Sequence, residues 1–101
     1  MGISTTNAGN KAIIKISGSF DFSKYMNFKA AYEPLMRQSW LEAVEVEMSD
    51  VDYFDSSSLG MLLQLRACAQ RDEKTVVLSK PNRHVAQTLA IANFSRLFTI
   101  L

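Results

Sequence analysis

Hydrophobic and polar positions change their period several times along the chain, and each change marks an element. In Ala12-Ile13-Ile14-Lys15-Ile16-Ser17, lysine and serine are set among β-branched residues, as a strand facing two environments requires. Upstream, the turn-forming string Asn7-Ala8-Gly9-Asn10 would join residues 2–6 to residues 11–18 as a hairpin, and Gly18 ends the second strand. The period then lengthens. Tyr25, Phe28, Tyr32 and Leu35 recur every three or four positions, the spacing of one helix face. A helix is therefore predicted over residues 23–38, with Ser23 as its N-cap. Pro34 has no N–H to donate and clashes one turn back, so a kink is predicted there.

The strand period returns in Ala43-Val44-Glu45-Val46-Glu47-Met48, which places Val44, Val46 and Met48 on one side. Residues 56–72 read as a second helix, and Thr75-Val76-Val77-Leu78-Ser79 as a third major strand. Pro81 and Asn82 interrupt the chain before a third helix carrying Val85, Leu89, Ala90 and Ala92, with Asn82 as a candidate cap. Phe98-Thr99-Ile100-Leu101 supplies a short final strand. Strands alternating with helices predict an α/β domain with a mixed sheet. No repeat, low-complexity segment or linker divides the 101 residues, so one domain over 1–101 is expected.

Composition narrows the function classes. Lys plus Arg (11) nearly balance Asp plus Glu (10) and are scattered, without the basic face a nucleic-acid binder uses to release phosphate counterions. The longest apolar runs fall far short of the ~20 residues that span a bilayer, and the N-terminal Met-Gly-Ile-Ser-Thr-Thr-Asn has no signal-peptide pattern. The single cysteine, Cys68, permits no internal disulfide. A soluble protein of the reducing cytoplasm is expected.

One segment offers chemistry. Tyr53-Phe54-Asp55-Ser56-Ser57-Ser58-Leu59-Gly60 joins a strand region to the second helix. Asp and Ser are strong helix caps, because their oxygens accept otherwise orphaned backbone N–H groups. A cap needs one such oxygen, and this site has four consecutive candidates. A phosphate on a serine here would meet free N–H groups and the positive end of the helix dipole, carrying about −1.5 to −2 charges without unfolding its own domain. Behind the serines the helix has two apolar stripes: Leu59, Leu62, Leu63 and Ala69 on one face, and Met61, Leu65 and Cys68 on another. The second stripe is either further core or a face for docking a partner, with Met61 and Leu65 as the partner-contact candidates.

Asp55-Ser56-Ser57-Ser58-Leu59-Gly60 resembles the Asp-Ser-Ser/Thr-Gly/Ala-Leu-Gly signature of STAS domains, in particular of anti-sigma-factor antagonists. Ser17-Gly18-Ser19-Phe20-Asp21 resembles the family's turn after its second strand. Glu47-Met48-Ser49 stands where Asp-Leu-Ser is frequent, and Leu89-Ala90-Ile91-Ala92-Asn93-Phe94 with Leu97-Phe98 resembles the last helix and its exit. The resemblance implies a single STAS domain, a mixed four- to five-stranded sheet with helices mainly on one face. It implies Ser56 as phosphoacceptor, with Ser57 and Ser58 as rivals because Ser58 replaces the commoner Gly or Ala. Asp21, Asp55 and Ser57 would shape the acceptor loop or assist kinase recognition. The implied mechanism is partner switching: the unphosphorylated protein binds an anti-sigma factor that is also an ATP-dependent serine kinase, phosphorylation releases it, and a PP2C-type phosphatase restores binding. ATP and magnesium would belong to the kinase, and no cofactor is expected in this chain. The alternatives are a constitutive STAS adaptor of a lipid-transport ATPase and a ligand-binding STAS module.

No catalytic constellation competes with this reading, and no enzyme is expected. His84 is the only histidine and supplies neither a metal site nor a triad. Cys68 reads as a small apolar residue on a helix, Ser56 has no base at a suitable spacing, and Glu45 and Glu47 share one face of a strand.

Overall fold

The computed structural model describes residues 2–101. The chain opens with strands β1 (Ile3–Ala8) and β2 (Lys11–Phe20), which pair antiparallel around Gly9, whose φ of +65° is left-handed. A 3-10 turn (Phe22–Lys24) leads into helix α1 (Tyr25–Met36), followed by β3 (Ala43–Phe54), α2 (Ser56–Arg71), β4 (Thr75–Ser79) and α3 (Arg83–Ile91). A second 3-10 turn (Phe94–Arg96) precedes β5 (Thr99–Ile100). The sheet order is β1-β2-β3-β4-β5, and every pair after the first is parallel. Each parallel connection runs through a helix, as the crossover requires.

One core results. Ala12, Ile14 and Ile16 of β2, Val44, Val46 and Met48 of β3 and Leu78 of β4 alternate inward and meet apolar residues of all three helices. The mixed sheet with helices on one face agrees with the sequence reading. Three predicted boundaries move. Gly18 does not end β2: it sits within the strand at a φ of +79°, and β2 runs on to Phe20, paired with β3 through a register shift. Strand β3 continues to Phe54, six residues beyond the alternating segment, because register shifts against β2 let the two strands keep pairing past Ser17 and Asp50. Helix α1 starts at Tyr25, and Ser23 is not its cap: Ser23 lies inside the 3-10 turn, whose cap is Asp21. Pro34 falls in the last turn of α1, two residues before its end at Met36.

The alternate positions of β2 and β3 carry charge on the opposite face, where Ser79 of β4 joins them. Glu45 accepts hydrogen bonds from Lys11 Nζ at 2.9 Å and Ser79 Oγ at 2.6 Å. Glu47, itself buried, accepts from the Ser49 amide at 2.8 Å, and Lys15 reaches Asp50 at 3.2 Å. The Ser79 hydroxyl, then Lys11, holds the Glu45 carboxyl below its ordinary value of 4.5. At Glu47 burial pushes upward, but the Ser49 bonds with Lys15 and Lys80 outweigh it, and the net shift is downward. Carboxyls depressed in the folded state add stability that is present above their unfolded pKa and is lost as pH falls through the folded one. The melting temperature is therefore expected to fall on acidification from about pH 5 to about pH 3, and Glu45→Gln to flatten that decline. A scanning-calorimetry profile as steep in Glu45→Gln as in the parent would remove Glu45 from the explanation.

Candidate functional site

Parallel pairing builds the site. Strand register sets Phe20 opposite Phe54, and both rings are buried. The next residues, Asp21 and Asp55, therefore leave neighbouring strand ends together, and each caps a helical turn. Asp21 Oδ1 accepts from the Ser23 amide at 2.9 Å and the Ser23 hydroxyl at 2.5 Å. Asp55 has extended backbone angles and turns β3 into α2. Its Oδ1 accepts from the amides of Ser57 (2.9 Å) and Ser58 (3.3 Å) and from the Ser57 hydroxyl at 2.6 Å.

The three serines occupy different environments. Ser58 is fully buried; its hydroxyl accepts from the Asp55 amide at 2.9 Å, closing a capping box, and donates to the Phe20 carbonyl. That bond ties the start of α2 to the end of β2. Ser57 is half-buried, with its hydroxyl held by Asp55. Ser56 is exposed at the first position of the helix. Among the described residues its hydroxyl has no hydrogen-bond partner, since the cap bonds belong to Asp55 and Ser58.

Sequence reading passed over two neighbours. Tyr53 donates its phenol to Asp55 Oδ2 at 2.9 Å, so both carboxylate oxygens are engaged. Strand alternation was the available signal, because side chains two apart share a face. The Ser57 hydroxyl foremost, against an opposing desolvation, and then Tyr53 hold the Asp55 carboxyl below its ordinary range. The hydrogen bond to Asp55 and its charge raise the Tyr53 phenol, with Asp21 adding to the effect. Phe22, exposed over 68% of its surface, stacks on Tyr25 with ring centroids 5.3 Å apart. With Gly60, Met61, Gln64 and Ser57 these rings line a depression of about 230 Å³ beside the serines. The turn after β2 brings Phe22 there, which no local pattern announced.

The partner-contact candidates need correction. Met61 and Leu65 are 3% and 0% exposed and belong to the core. The buried positions of α2 are Ser58, Met61, Leu62, Leu65 and Ala69, one stripe at helical spacing turned toward the sheet. Leu63, grouped by sequence with the core face, lies outside this stripe and is 39% exposed. Cys68 is half-buried against the core, and His84 is exposed in the first turn of α3. Among the described residues no three His, Cys, Asp or Glu side chains are grouped to hold a metal ion, and no helix is long and apolar enough to cross a membrane.

Comparison with known proteins agrees with this geometry. The family model described as "Mlab, STAS domain" matches residues 3–100. The chain belongs to the STAS-domain family. A STAS-domain-containing protein of Pseudomonas aeruginosa is 37% identical over 92 residues, covering 91% of this chain and 89% of that protein. A Thermotoga maritima protein assigned to the anti-sigma factor antagonists superposes with a TM-score of 0.84 at 19% identity, covering 97% of this chain and 84% of that one. SpoIIAA, an anti-sigma factor antagonist of Bacillus solved in unphosphorylated and phosphorylated forms, superposes in the former with a TM-score of 0.81 at 13% identity. That match covers 98% of this STAS domain and 87% of SpoIIAA. At such identities the two superpositions establish the STAS fold.

Proposed function

We propose that this STAS protein is an anti-sigma-factor antagonist whose partner binding is switched by phosphorylation of Ser56. The observation that carries the proposal is the division of labour among the serines. Ser58 is closed inside the fold and Ser57 is bound by Asp55, while Ser56 alone of the three is both exposed and unengaged. A kinase must bring the γ-phosphate of ATP in line with a hydroxyl oxygen, and burial denies that approach to Ser58. Asp55 and Ser58 already cap α2, so modifying Ser56 leaves the cap and the fold intact. Asp21 and Asp55 form an acidic rim, and Tyr53 holds Asp55 in place.

The switch follows from charge. Unphosphorylated, the Ser56 surface docks on an anti-sigma factor that is also an ATP-dependent serine kinase, and the sigma factor is freed. Phosphorylation adds about −1.5 to −2 charges to a surface that has to be desolvated on binding, and the complex separates. A PP2C-type phosphatase resets the protein. ATP and magnesium act on the kinase side, in the cytoplasm.

Phosphotransfer with the purified partner and ATP tests the assignment. Ser57→Ala is expected to retain the incorporated phosphate and Ser56→Ala to lose it; incorporation by Ser56→Ala would move the acceptor elsewhere. Stable co-purification with an ATPase subunit and no phosphate would favour the lipid-transport adaptor, and retained nucleotide the ligand-binding module.

A further inference from the structure

The α1–α2 seam holds three depressions that run end to end. The first, beside the serines, lies between Phe22, Tyr25, Gly60 and Met61 and has no charged wall. The second, about 310 Å³, shares Tyr25 and Gln64 with it and passes Tyr32 and Cys68 to Arg71. The third, about 190 Å³, shares Glu33, Cys68 and Arg71 with the second and ends between Met36, Arg37 and Asp72. The starts of α1 and α2 thus meet at one end of the groove and their last turns at the other, so the two helices run parallel. From Gly60 to Arg71 the groove follows roughly three helical turns, about 16 Å.

We propose that this groove receives an amphipathic helix of the partner protein, lying antiparallel to α1 and α2 with carboxylates in its first turn. The partner's identity rests on the Ser56 reading; the groove and its occupant's chemistry do not. A helix fits because both walls are helices whose backbone groups are already paired internally. An extended segment would find no ladder here, and its buried N–H and C=O groups would be left unpaired. A helix satisfies its own backbone and offers apolar side chains at three- and four-residue spacing.

Charge sets the direction. At the far end Arg37 and Arg71 stand beside two carboxylates, Glu33 and Asp72, while Lys29 lines the middle depression. Lys29 pairs with Glu33 at 3.8 Å, and among the described residues neither Arg37 nor Arg71 has an ion-pair partner. Among the described residues the Arg71 side chain reaches the Cys68 sulfur alone, at 3.6 Å. Carboxylates in the occupant's first turn would pair with these guanidiniums and suit its own dipole. An antiparallel helix then ends beside Ser57, with its carbonyl-rich, negative terminus toward Ser56. A phosphate on Ser56 repels that terminus, which gives the release step a structural cause.

A photo-crosslinking amino acid, p-benzoylphenylalanine, placed singly at Gln64, Ala67 and Thr6 in the full chain tests the groove in the native cells. Gln64 and Ala67 are exposed residues of the groove, and Thr6 is exposed on β1. Variants are first matched to the parent in melting temperature. Gln64 and Ala67 are expected to crosslink to one peptide with apolar residues at three- and four-residue spacing and carboxylates at its N-terminal end, as mapped by mass spectrometry. Arg71→Glu should cut the yield about tenfold or more, while Lys15→Glu on the sheet leaves it unchanged. Crosslinks from Thr6 without any from the groove, a groove peptide lacking that pattern, or indifference to Arg71→Glu would each overturn the proposal. Patterned groove crosslinks in cells whose Ser56 never carries phosphate would retain the groove and remove the switch.

Discussion

Ser56→Asp is expected to weaken partner binding by about a hundredfold, roughly 2.7 kcal/mol, while leaving the melting temperature close to that of the parent. The two halves of this expectation have separate causes. Affinity falls because a carboxylate at an exposed, otherwise uncharged position has to be desolvated in the complex without a partner of opposite sign. Stability holds because Ser56 is exposed at the start of α2, where a negative charge suits the helix dipole and the cap is made by other residues. Exposed substitutions of this kind usually stay within about 0.5 kcal/mol. Ser58→Ala gives the contrasting result. It strips the Asp55 amide and the Phe20 carbonyl of a buried partner, which costs about 1–3 kcal/mol. Titration calorimetry and thermal melts on both variants separate a switch residue from a structural one. Ser56→Asp with parental affinity, or with a melting temperature many degrees lower, would reverse the assignment.

Leu65→Ala is expected to cost about 2–5 kcal/mol of folding stability. Leu65 is fully buried in the middle of the α2 stripe, between Leu62 and Ala69. Truncation removes its transfer free energy and leaves a void that rigid neighbours fill only in part. For a domain of this size each kcal/mol moves the melting temperature by about 4–8 °C, so a fall of about 8 °C or more is anticipated. Partner affinity at a temperature where the variant remains folded should match the parent. Lost affinity with little lost stability would return Leu65 to the interface from which its burial removes it.

Much of the fold was legible because its cues are local. Alternation in residues 43–48 found β3, and the Asn7-Ala8-Gly9-Asn10 turn found the β1–β2 hairpin. Asn82 caps α3 as its side-chain chemistry indicated, its Oδ1 accepting from the Val85 amide at 3.1 Å. Errors arose where tertiary contacts decide. Two apolar stripes were visible on α2, and sequence could not say how the helix is turned toward the sheet; Met61 and Leu65 face in and Leu63 faces out. Ser23 looked like a cap because serine is a good one, yet it lies inside a 3-10 turn capped by Asp21, and α1 itself starts after Lys24 without a side-chain cap. The extension of β3 to Phe54 depends on register shifts against β2 that no periodicity records.

The acceptor site divides in the same way. Four consecutive oxygen-bearing side chains pointed to the loop, and the capping-box spacing of Asp55 and Ser58 was present in the sequence. Choosing among the serines needed the third dimension, since burial of Ser58 follows from its bond to the Phe20 carbonyl, 38 residues away in sequence. Asp21 joins Asp55 for an equally distant reason, the parallel register of β2 and β3, whereas Tyr53, two residues from Asp55, reaches it through local strand alternation.

Intact-mass and phosphopeptide analysis of the protein isolated from its native cells, with and without PP2C-type phosphatase treatment, tests the switch itself. The switch predicts one phosphate, mapped to Ser56 and removed by the phosphatase. Repeated preparations across growth conditions that carry no phosphate, or that carry it on Ser57 or Ser58, would contradict it.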